Sequence, residues 1–285
     1  MVTGVNKTIG PEFYGLMNFR NVLLKGNTIQ IPLNTTIMWI INFIPQLLLT
    51  LLLAKWLTDS RLKIRGQAAF KVMIYMPNII TAASISMLFY AIFAFPQGPA
   101  NSALAQLGLI DKATYLLNAG SAATVAYRFL EKGWSVRLIV AFVNFWMWYC
   151  NTMIILIAGI HGVNPNLFEA AEVDSASGNQ IFTRITLPLL EPIMLYTLVS
   201  SLIGGLQMYD IPQMMQQQGT PAKGMTQTVT MYIIELVYEG TKDYGRGAAV
   251  SVLLFLVTGA VSLALFYFMR DREPRPARSR REAGT

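Results

Sequence analysis

The sequence contains few charged residues. Only 13% of its 285 residues are Asp, Glu, Lys or Arg, whereas 54% are hydrophobic. A soluble domain usually carries about 25% charged residues, so the composition indicates an integral membrane protein. The net charge of +7 comes from basic residues clustered at the ends of apolar segments, which is typical of membrane topology rather than of nucleic-acid binding.

Cysteine and histidine are each present once, as Cys150 and His161. A single cysteine excludes an internal disulfide, and the pair cannot supply a His/Cys metal site or a Cys–His catalytic pair within the chain. The sequence also lacks the GxxxxGK[ST] phosphate loop, so we predict that this chain does not hydrolyse ATP by that chemistry.

Apolar segments long enough to cross a bilayer as helices, which takes about 20 residues, occur at five places. They are Leu33–Ala54, Val72–Phe95, Leu138–Ile160, Ile193–Ile211 and Gly247–Met269. We therefore predict an all-α integral membrane fold with about five transmembrane helices over residues 33–269. The second segment is interrupted by Pro77-Asn78. The fourth is diluted by small and polar residues, which favour helix–helix contacts and water-lined paths, so we expect it inside the bundle.

The basic residues predict the orientation of the chain. They are concentrated in the loop between Lys55 and Lys71 and in the tail 270–285, and five spans place both on one side, which is then cytoplasmic. The loop 161–188 falls on the same side. The N-terminal segment 1–32 and the loops 96–135 and 212–246 are predicted to be external.

The cytoplasmic loop after the third span is the most specific feature of the sequence. Residues 164–192 read NPNLFEAAEVDSASGNQIFTRITLPLLEP. Asn164-Pro165 predicts a helix start, Ser175–Gly178 predicts a break, and a second helix is expected from about Asn179 to near Pro188. The loop's carboxylates have no nucleophile or metal ligands beside them, so we predict docking onto a partner protein rather than catalysis.

This loop resembles the EAA loop of permeases from binding-protein-dependent ABC importers, in the form found in the carbohydrate-uptake family. The matching positions are Glu169, Ala170, Ala171, Asp174, Phe182, Ile185, Leu187 and Pro188. Gly15-Leu16, Asn18-Phe19, Tyr75-Met76-Pro77 and Tyr209-Asp210 also fit the family. Where the family usually has Gly between the two short helices, this chain has Ser175. Because glycine adopts a left-handed turn more readily, we expect the turn to form differently here, using Gly178.

The resemblance implies the transmembrane domain of a type I ABC importer in the cytoplasmic (inner) membrane. The loop 164–190 then couples the chain to an ATPase: Glu169 pairs with a basic ATPase residue, and Ala170, Ala171, Asp174 and Ser175 support the docked shape. The implied partners are a second permease in a heterodimer, two ATPase subunits that bind ATP and Mg²⁺, and an external or periplasmic solute-binding protein. This chain is then no enzyme and needs no cofactor of its own. The family also has a helix before the Gly15–Phe19 region, which is missing from this sequence. Either the subunit is natively short or its true start lies upstream, and we expect the second, because a preceding helix would restore a cytoplasmic N-terminus.

A sugar would be recognised by hydrogen-bonding groups and aromatic faces near the middle of the membrane. Aromatic residues at helical spacing more often pack against neighbouring helices, which is the alternative for every candidate. The candidates for the substrate pathway are Tyr90, Trp148, Tyr149, Asn151, Ser201, Gly205 and Met208.

Other functions remain open at this point. An ABC permease could carry glycerol phosphate, a phosphodiester or a polyamine, although a phosphate would favour Arg or Lys within the spans and none is present there. A secondary transporter would need ionisable residues inside its helices. The spans contain almost none beyond Asp210, which lies at the end of the fourth span. A membrane-embedded enzyme would need a nucleophile–base or metal constellation, which the spans do not offer.

Overall fold

The computed structural model describes residues 15–24, 29–59, 62, 66–111, 125–217, 223–239 and 242–270. Within these ranges the regular structure is helical, as predicted. The helices are α1 (Met17–Leu24), α2 (Gln30–Thr58), α3 (Gln67–Ile79), α4 (Ala82–Ile92), α5 (Pro99–Gln106), α6 (Gly133–His161), α7 (Pro165–Val173), α8 (Gly178–Ile181), a π-helix (Phe182–Thr186), α9 (Leu187–Leu189), α10 (Glu191–Leu206), α11 (Asp210–Gln217), α12 (Lys223–Thr226), α13 (Val229–Tyr238) and α14 (Tyr244–Arg270).

Three described helices are individually long and apolar enough to cross a membrane: α2, α6 and residues Tyr244–Phe268 of α14. Two further spans exist if bent helix pairs are counted as one each. The first pair is Ala69–Ile79 with Ala82–Ile92, bent by 87°, and the second is Gly178–Leu189 with Glu191–Gln216, bent by 65°. The prediction of an all-α fold with about five spans is confirmed on that count.

The second span breaks later than the sequence predicts. Pro77 lies inside α3, and the chain turns at Ile80 and Thr81, where the Thr81 hydroxyl caps α4 by accepting from the Ser84 backbone N–H at 3.3 Å. Asn78 donates its side-chain amide to the Met147 carbonyl at 3.2 Å. This hydrogen bond attaches the last turn of α3 to α6. The position of Pro77 in the sequence does not predict this contact.

The centre of the molecule is the contact between α2 and α6. Their buried apolar residues belong to clusters near each end of the pair, one around Met38, Val140 and Met147 and the other around Ala54 and Leu156. Between these clusters lie buried polar side chains on both helices. The two helices therefore form a frame with buried polar side chains in its middle, between two apolar clusters.

One end of the frame carries the segments predicted to be external. α1 lies within the predicted segment 1–32, and its Val22 packs with Ala249 and Val250 near the start of α14. At the same end the Arg137 guanidinium donates to the Met225 carbonyl at 2.9 Å and to the Asn34 side-chain oxygen. The loop 164–190 lies at the other end. The assignment of these two ends to the external and cytoplasmic sides stays a prediction.

The fourth span packs against three other helices, although Ser200, Ile203 and Gly204 on it are exposed, so its predicted place inside the bundle stays a prediction. α10 contacts α2, α6 and α14. The Trp39 indole N–H donates to the Ser201 hydroxyl at 3.1 Å. A Cβ atom at Gly205 would lie 2.0 Å from Cδ1 of Trp39, so glycine at this position is what allows the indole ring to approach the α10 backbone.

Candidate functional site

The first helix of the loop 164–190, α7, begins as the sequence predicts. The Asn164 side chain accepts from the Asn166 backbone N–H at 3.0 Å, and Pro165 occupies the first helical position, where its missing N–H costs no hydrogen bond. Glu169 and Ala170 are exposed, whereas Ala171 is buried against the body of the protein. The helix therefore presents a carboxylate and a small side chain outward.

α7 ends in a left-handed turn at Ser175, whose φ is 58°. The Ser175 backbone N–H donates to the Glu172 carbonyl and the Ala176 N–H donates to the Ala171 carbonyl, both at 3.0 Å. This is the Schellman pattern, in which glycine usually occupies the left-handed position. The expectation that the turn forms differently, using Gly178, is wrong: Ser175 adopts the conformation itself because the two hydrogen bonds satisfy the helix end.

Gly178 instead starts the second helix, α8. The Ser177 side chain accepts from the Gln180 N–H at 3.3 Å, and the Gln180 side chain accepts from the Ser177 N–H at 2.7 Å, which is a capping box. α8 continues through the π-helix Phe182–Thr186 into α9 and ends after Pro188. The wide π turn comes just before a proline, where an α-helix would lose a hydrogen bond and meet the proline ring.

Partly buried apolar side chains lie along one side of this second helix. Ile181, Phe182, Ile185 and Leu187 are half-buried, and Pro188 is exposed. The C-terminal end of α2 contacts the same side, because the Lys55 ammonium donates to the Asn179 side-chain oxygen and lies 5.4 Å from the centre of the Phe182 ring. Of the coupling residues predicted from the resemblance, Glu169, Ala170, Asp174, Ser175 and Pro188 are exposed, Ala171 is buried, and Phe182, Ile185 and Leu187 are partly buried.

A cavity of about 480 Å³ lies among α2, α6 and α10, level with the polar middle of the frame. Its lining is rich in carboxamides and hydroxyls. Those polar residues are Asn42, Gln46, Asn144, Asn151, Thr152, Thr197, Ser200, Ser201, Gln207, Tyr209 and Asp210, and Trp148 adds an aromatic face. Lys, Arg and His are absent from the described residues that line it.

Five of the residues proposed for the substrate pathway line this cavity together: Trp148, Asn151, Ser201, Gly205 and Met208. The other two lie elsewhere. The Tyr149 hydroxyl donates to the Ile74 carbonyl at 3.0 Å, which joins α6 to α3. Tyr90 is partly buried against the apolar cluster around Met38 and Val140.

The sequence reading missed the contribution of α2 to the cavity. Asn42 and Gln46 are both almost fully buried in a helix that reads as a plain apolar span. The Asn42 side-chain oxygen has no hydrogen-bond partner within the described part of the chain. The two residues are four positions apart and so share one helix face. This spacing of two carboxamides in an apolar helix is a sequence signal from which they could have been predicted.

Comparison with known proteins places this arrangement in a family. Residues 32–275 match the family described as "Binding-protein-dependent transport system inner membrane component". The chain belongs to this family. It is accordingly an inner-membrane component of a transport system, which agrees with the membrane location and the permease fold predicted from the sequence.

Similar family members are known in several bacteria. The chain is 27% identical over 241 residues to the lactose transport system permease protein LacF of Rhizobium radiobacter, covering 84% of this chain and 75% of that protein. It is 28% identical over 258 residues to the arabinooligosaccharides transport system permease protein AraP of Bacillus subtilis, covering 88% and 74%. The solved structure of a bacterial alginate ABC transporter in complex with an alginate pentasaccharide-bound periplasmic protein matches with a TM-score of 0.74 at 22% identity, covering 90% of this chain and 83% of that chain.

Proposed function

We propose that this chain is the permease subunit of an ATP-driven importer that moves a neutral mono- or oligosaccharide across the cytoplasmic membrane. The relatives named above are permease proteins of a lactose and an arabinooligosaccharide transport system. The observation that carries the proposal for this chain is the composition of the cavity among α2, α6 and α10. Its size of about 480 Å³ falls within the usual range for small-ligand sites, roughly 300–1,000 Å³.

The cavity offers the chemistry that a sugar requires. Carboxamides and hydroxyls both donate and accept hydrogen bonds, as sugar hydroxyls do. Trp148 provides an apolar face for the C–H side of a pyranose ring. The Asn42 oxygen is buried without a partner in the described residues, and a buried acceptor of this kind gains most from a ligand that donates to it.

The charge of the lining favours a neutral solute over an acidic one. Asp210 is the one ionisable carboxylate among the described lining residues, and no basic side chain accompanies it there. A uronate or phosphate group entering this space would meet the negative charge of Asp210 without a positive partner among the described lining residues.

Asp210 also favours one second candidate, a polyamine. A cationic amine could pair with this carboxylate, and the absence of Lys and Arg from the described lining would remove the repulsion. The two candidates differ in what they need from the remaining lining, since an aliphatic polyamine uses neither the hydroxyls nor most of the carboxamides.

Coupling to ATP is proposed to occur through the loop 164–190. Glu169, exposed on α7, would pair with a basic residue of an ATPase subunit, and Ala170, Asp174 and Ser175 would fit the docked surface. ATP and Mg²⁺ would be held by that partner. The complete importer would contain a second permease, two such ATPases and a solute-binding protein on the external side.

The substrate proposal is tested by uptake in proteoliposomes that contain the whole complex, with a panel of radiolabelled neutral oligosaccharides, a uronate oligosaccharide and spermidine. We expect uptake of a neutral glycan only. Trp148→Ala should reduce this uptake at least about tenfold, the loss expected for removing about 1.4 kcal/mol of binding. Trp134→Ala is the matched control, because Trp134 lies on the same helix but outside the cavity. Uptake of spermidine alone would select the second candidate.

The coupling proposal is tested with Glu169→Lys. The variant should be inserted in the membrane at normal levels but should neither retain the ATPase subunits nor transport. Glu239→Lys, the same charge reversal at an exposed position at the end of α13, should leave both unchanged. Normal ATPase binding and uptake by Glu169→Lys would show that the loop does not have the proposed role.

A further inference from the structure

We propose that Lys55 is a positioning residue that fastens the second helix of the coupling loop to α2, so that this part of the loop and α2 move as one body. The inference rests on the proposed function, since it concerns how movement at the ATPase-facing loop reaches the cavity. In the sequence Lys55 reads only as one of the basic residues that mark the cytoplasmic side.

Lys55 makes two contacts with the second helix. Its ammonium group donates to the side-chain oxygen of Asn179 and lies 5.4 Å from the centre of the Phe182 ring. Asn179 and Phe182 are three residues apart and so lie on one face of the helical segment. A hydrogen bond and a cation–π contact from one side chain hold this face more firmly than either would alone.

The part of α2 that carries Lys55 is packed into an apolar cluster. Ala54 and Leu57, its neighbours on α2, are buried in an apolar cluster with Leu156, Ile160 and Leu190. That cluster joins α2 to the end of α6 and to the residue that follows α9. Lys55 also lies in the last turn of α2, where a positive charge is favoured by the helix dipole.

α2 connects this point to the cavity. Asn42 and Gln46 line the cavity on the same continuous helix, and at 1.5 Å per residue Gln46 lies only about 14 Å along the axis from Lys55. At its predicted external end α2 contacts α12, because the Asn34 side chain donates to the Gly224 carbonyl at 3.0 Å. A displacement of the second loop helix is therefore applied to a helix that reaches the cavity at Gln46 and, beyond its internal Pro45, the external side.

Both loop helices border a space of about 330 Å³ at the end of α2. Its lining residues are Lys55, Thr58 and Asp59 of α2, Phe168, Glu169 and Glu172 of α7, and Gly178, Ile181, Phe182 and Thr186 of the second helix. The second helix in addition contacts Lys55 through Asn179 and Phe182. This geometry assigns two tasks to the loop: α7 presents Glu169 to the partner, and the second helix passes the movement to α2.

A distance measurement tests the attachment without requiring a known substrate. Spin labels would be placed at Trp56→Cys and Thr183→Cys, both exposed positions, in a Cys150→Ser background of the full complex. We expect one narrow distance distribution that is unchanged by ATP. Lys55→Met, which keeps the apolar stem but removes the charge and the donor, should broaden it, and Lys55→Arg should restore it. Equal widths for the unsubstituted Lys55 protein and Lys55→Met would overturn the inference.

The functional consequence is measured as solute transported per ATP hydrolysed. Lys55→Met should lower this ratio at least about fivefold, the lower end of the range for energetic coupling between sites, while the ATPase subunits remain bound. Lys55→Arg should recover most of it. Lys71→Met, which removes the same charge from the same predicted side on a different helix, should leave it unchanged. Loss of ATPase binding in Lys55→Met would point to assembly instead, and a complex with unsubstituted Lys55 that transports no glycan would contradict the proposed function rather than the role of Lys55.

Discussion

The side-chain amide of Gln46 on α2 donates a hydrogen bond of 2.7 Å to the hydroxyl of Thr152 on α6. Both residues are almost fully buried, at 4% and 6% exposure, and they join the two helices at the wall of the cavity. In a membrane protein a polar bond of this kind fixes the rotation of one helix against the other, because the hydrocarbon around the bundle offers no alternative partner.

Thr152→Val should destabilise the protein by about 0.6–1.7 kcal/mol, the range for hydrogen bonds between membrane helices. The substitution keeps the shape but leaves the Gln46 amide without its acceptor. The measurement is unfolding in mixed micelles. Thr36→Val is the control, since Thr36 donates to Pro32 of its own helix. A similar loss in both variants would show that the bond between α2 and α6 is not the cause.

Gly205→Ala should destabilise the protein by about 1–3 kcal/mol through overpacking, because its Cβ would collide with Trp39 at 2.0 Å. It should also displace the indole ring from Ser201, visible as a change in Trp39 fluorescence in a variant that retains only this tryptophan. Gly204→Ala is a matched control on the same helix, since a Cβ there meets nothing within 4 Å. Equal thermal stability of the two variants would contradict the close contact.

Ser175→Gly should stabilise the end of α7 by about 0.5–1 kcal/mol. Glycine adopts a φ of 58° without the steric cost of about 1–2 kcal/mol that serine bears, and its greater flexibility in the unfolded chain offsets about 0.5–1 kcal/mol of this gain. Slower amide hydrogen exchange at Asp174–Ala176 would report the gain. Ser177→Ala should have the opposite effect on α8, with a loss of about 1 kcal/mol on removal of its cap. Faster exchange in Ser175→Gly would mean that serine makes a compensating contact in the assembled importer.

Arg137→Met should release the segment around α12 from the helices beneath it. Arg137 donates to Met225 and to the Asn34 side chain, which in turn donates to Gly224. We expect faster protease cleavage and hydrogen exchange at residues 223–228, with the core unchanged. Arg128→Met is the control. It removes an exposed guanidinium that pairs with Glu131 at 2.7 Å, and exposed pairs of this kind contribute only about 0–1 kcal/mol to stability. Unaltered exchange in Arg137→Met would place the attachment of the segment elsewhere.

The loop 164–190 shows how much of a structure can be predicted from local sequence patterns. The Asn164 cap, the start at Pro165 and the second helix follow from interactions within a few residues, and the structure has them where the sequence places them. Ser175 is the exception. The preference for glycine in a left-handed turn pointed to Gly178, but the Schellman hydrogen bonds outweigh the steric cost at serine.

The cavity shows the opposite case. The sequence identified Trp148, Asn151 and Ser201 on the third and fourth spans, but it missed Asn42 and Gln46 on the first. A polar residue in an apolar helix faces a cavity, a neighbour or its own backbone, and only the rotation of the packed helices distinguishes these. Tyr149 illustrates the same point, since it follows Trp148 directly yet turns toward Ile74 on α3.

The sequence by itself determined the class of protein, the approximate positions of the spans and the two short helices of the loop 164–190. Those features depend on hydrocarbon thickness and on caps within one or two turns, and neither needs a distant residue. The tertiary structure alone decided which polar side chains share a cavity, where the second span bends, and that Lys55 contacts the second helix of the loop 164–190. Each of these depends on how far one helix is rotated and shifted against another, and that is set by contacts between residues far apart in the chain.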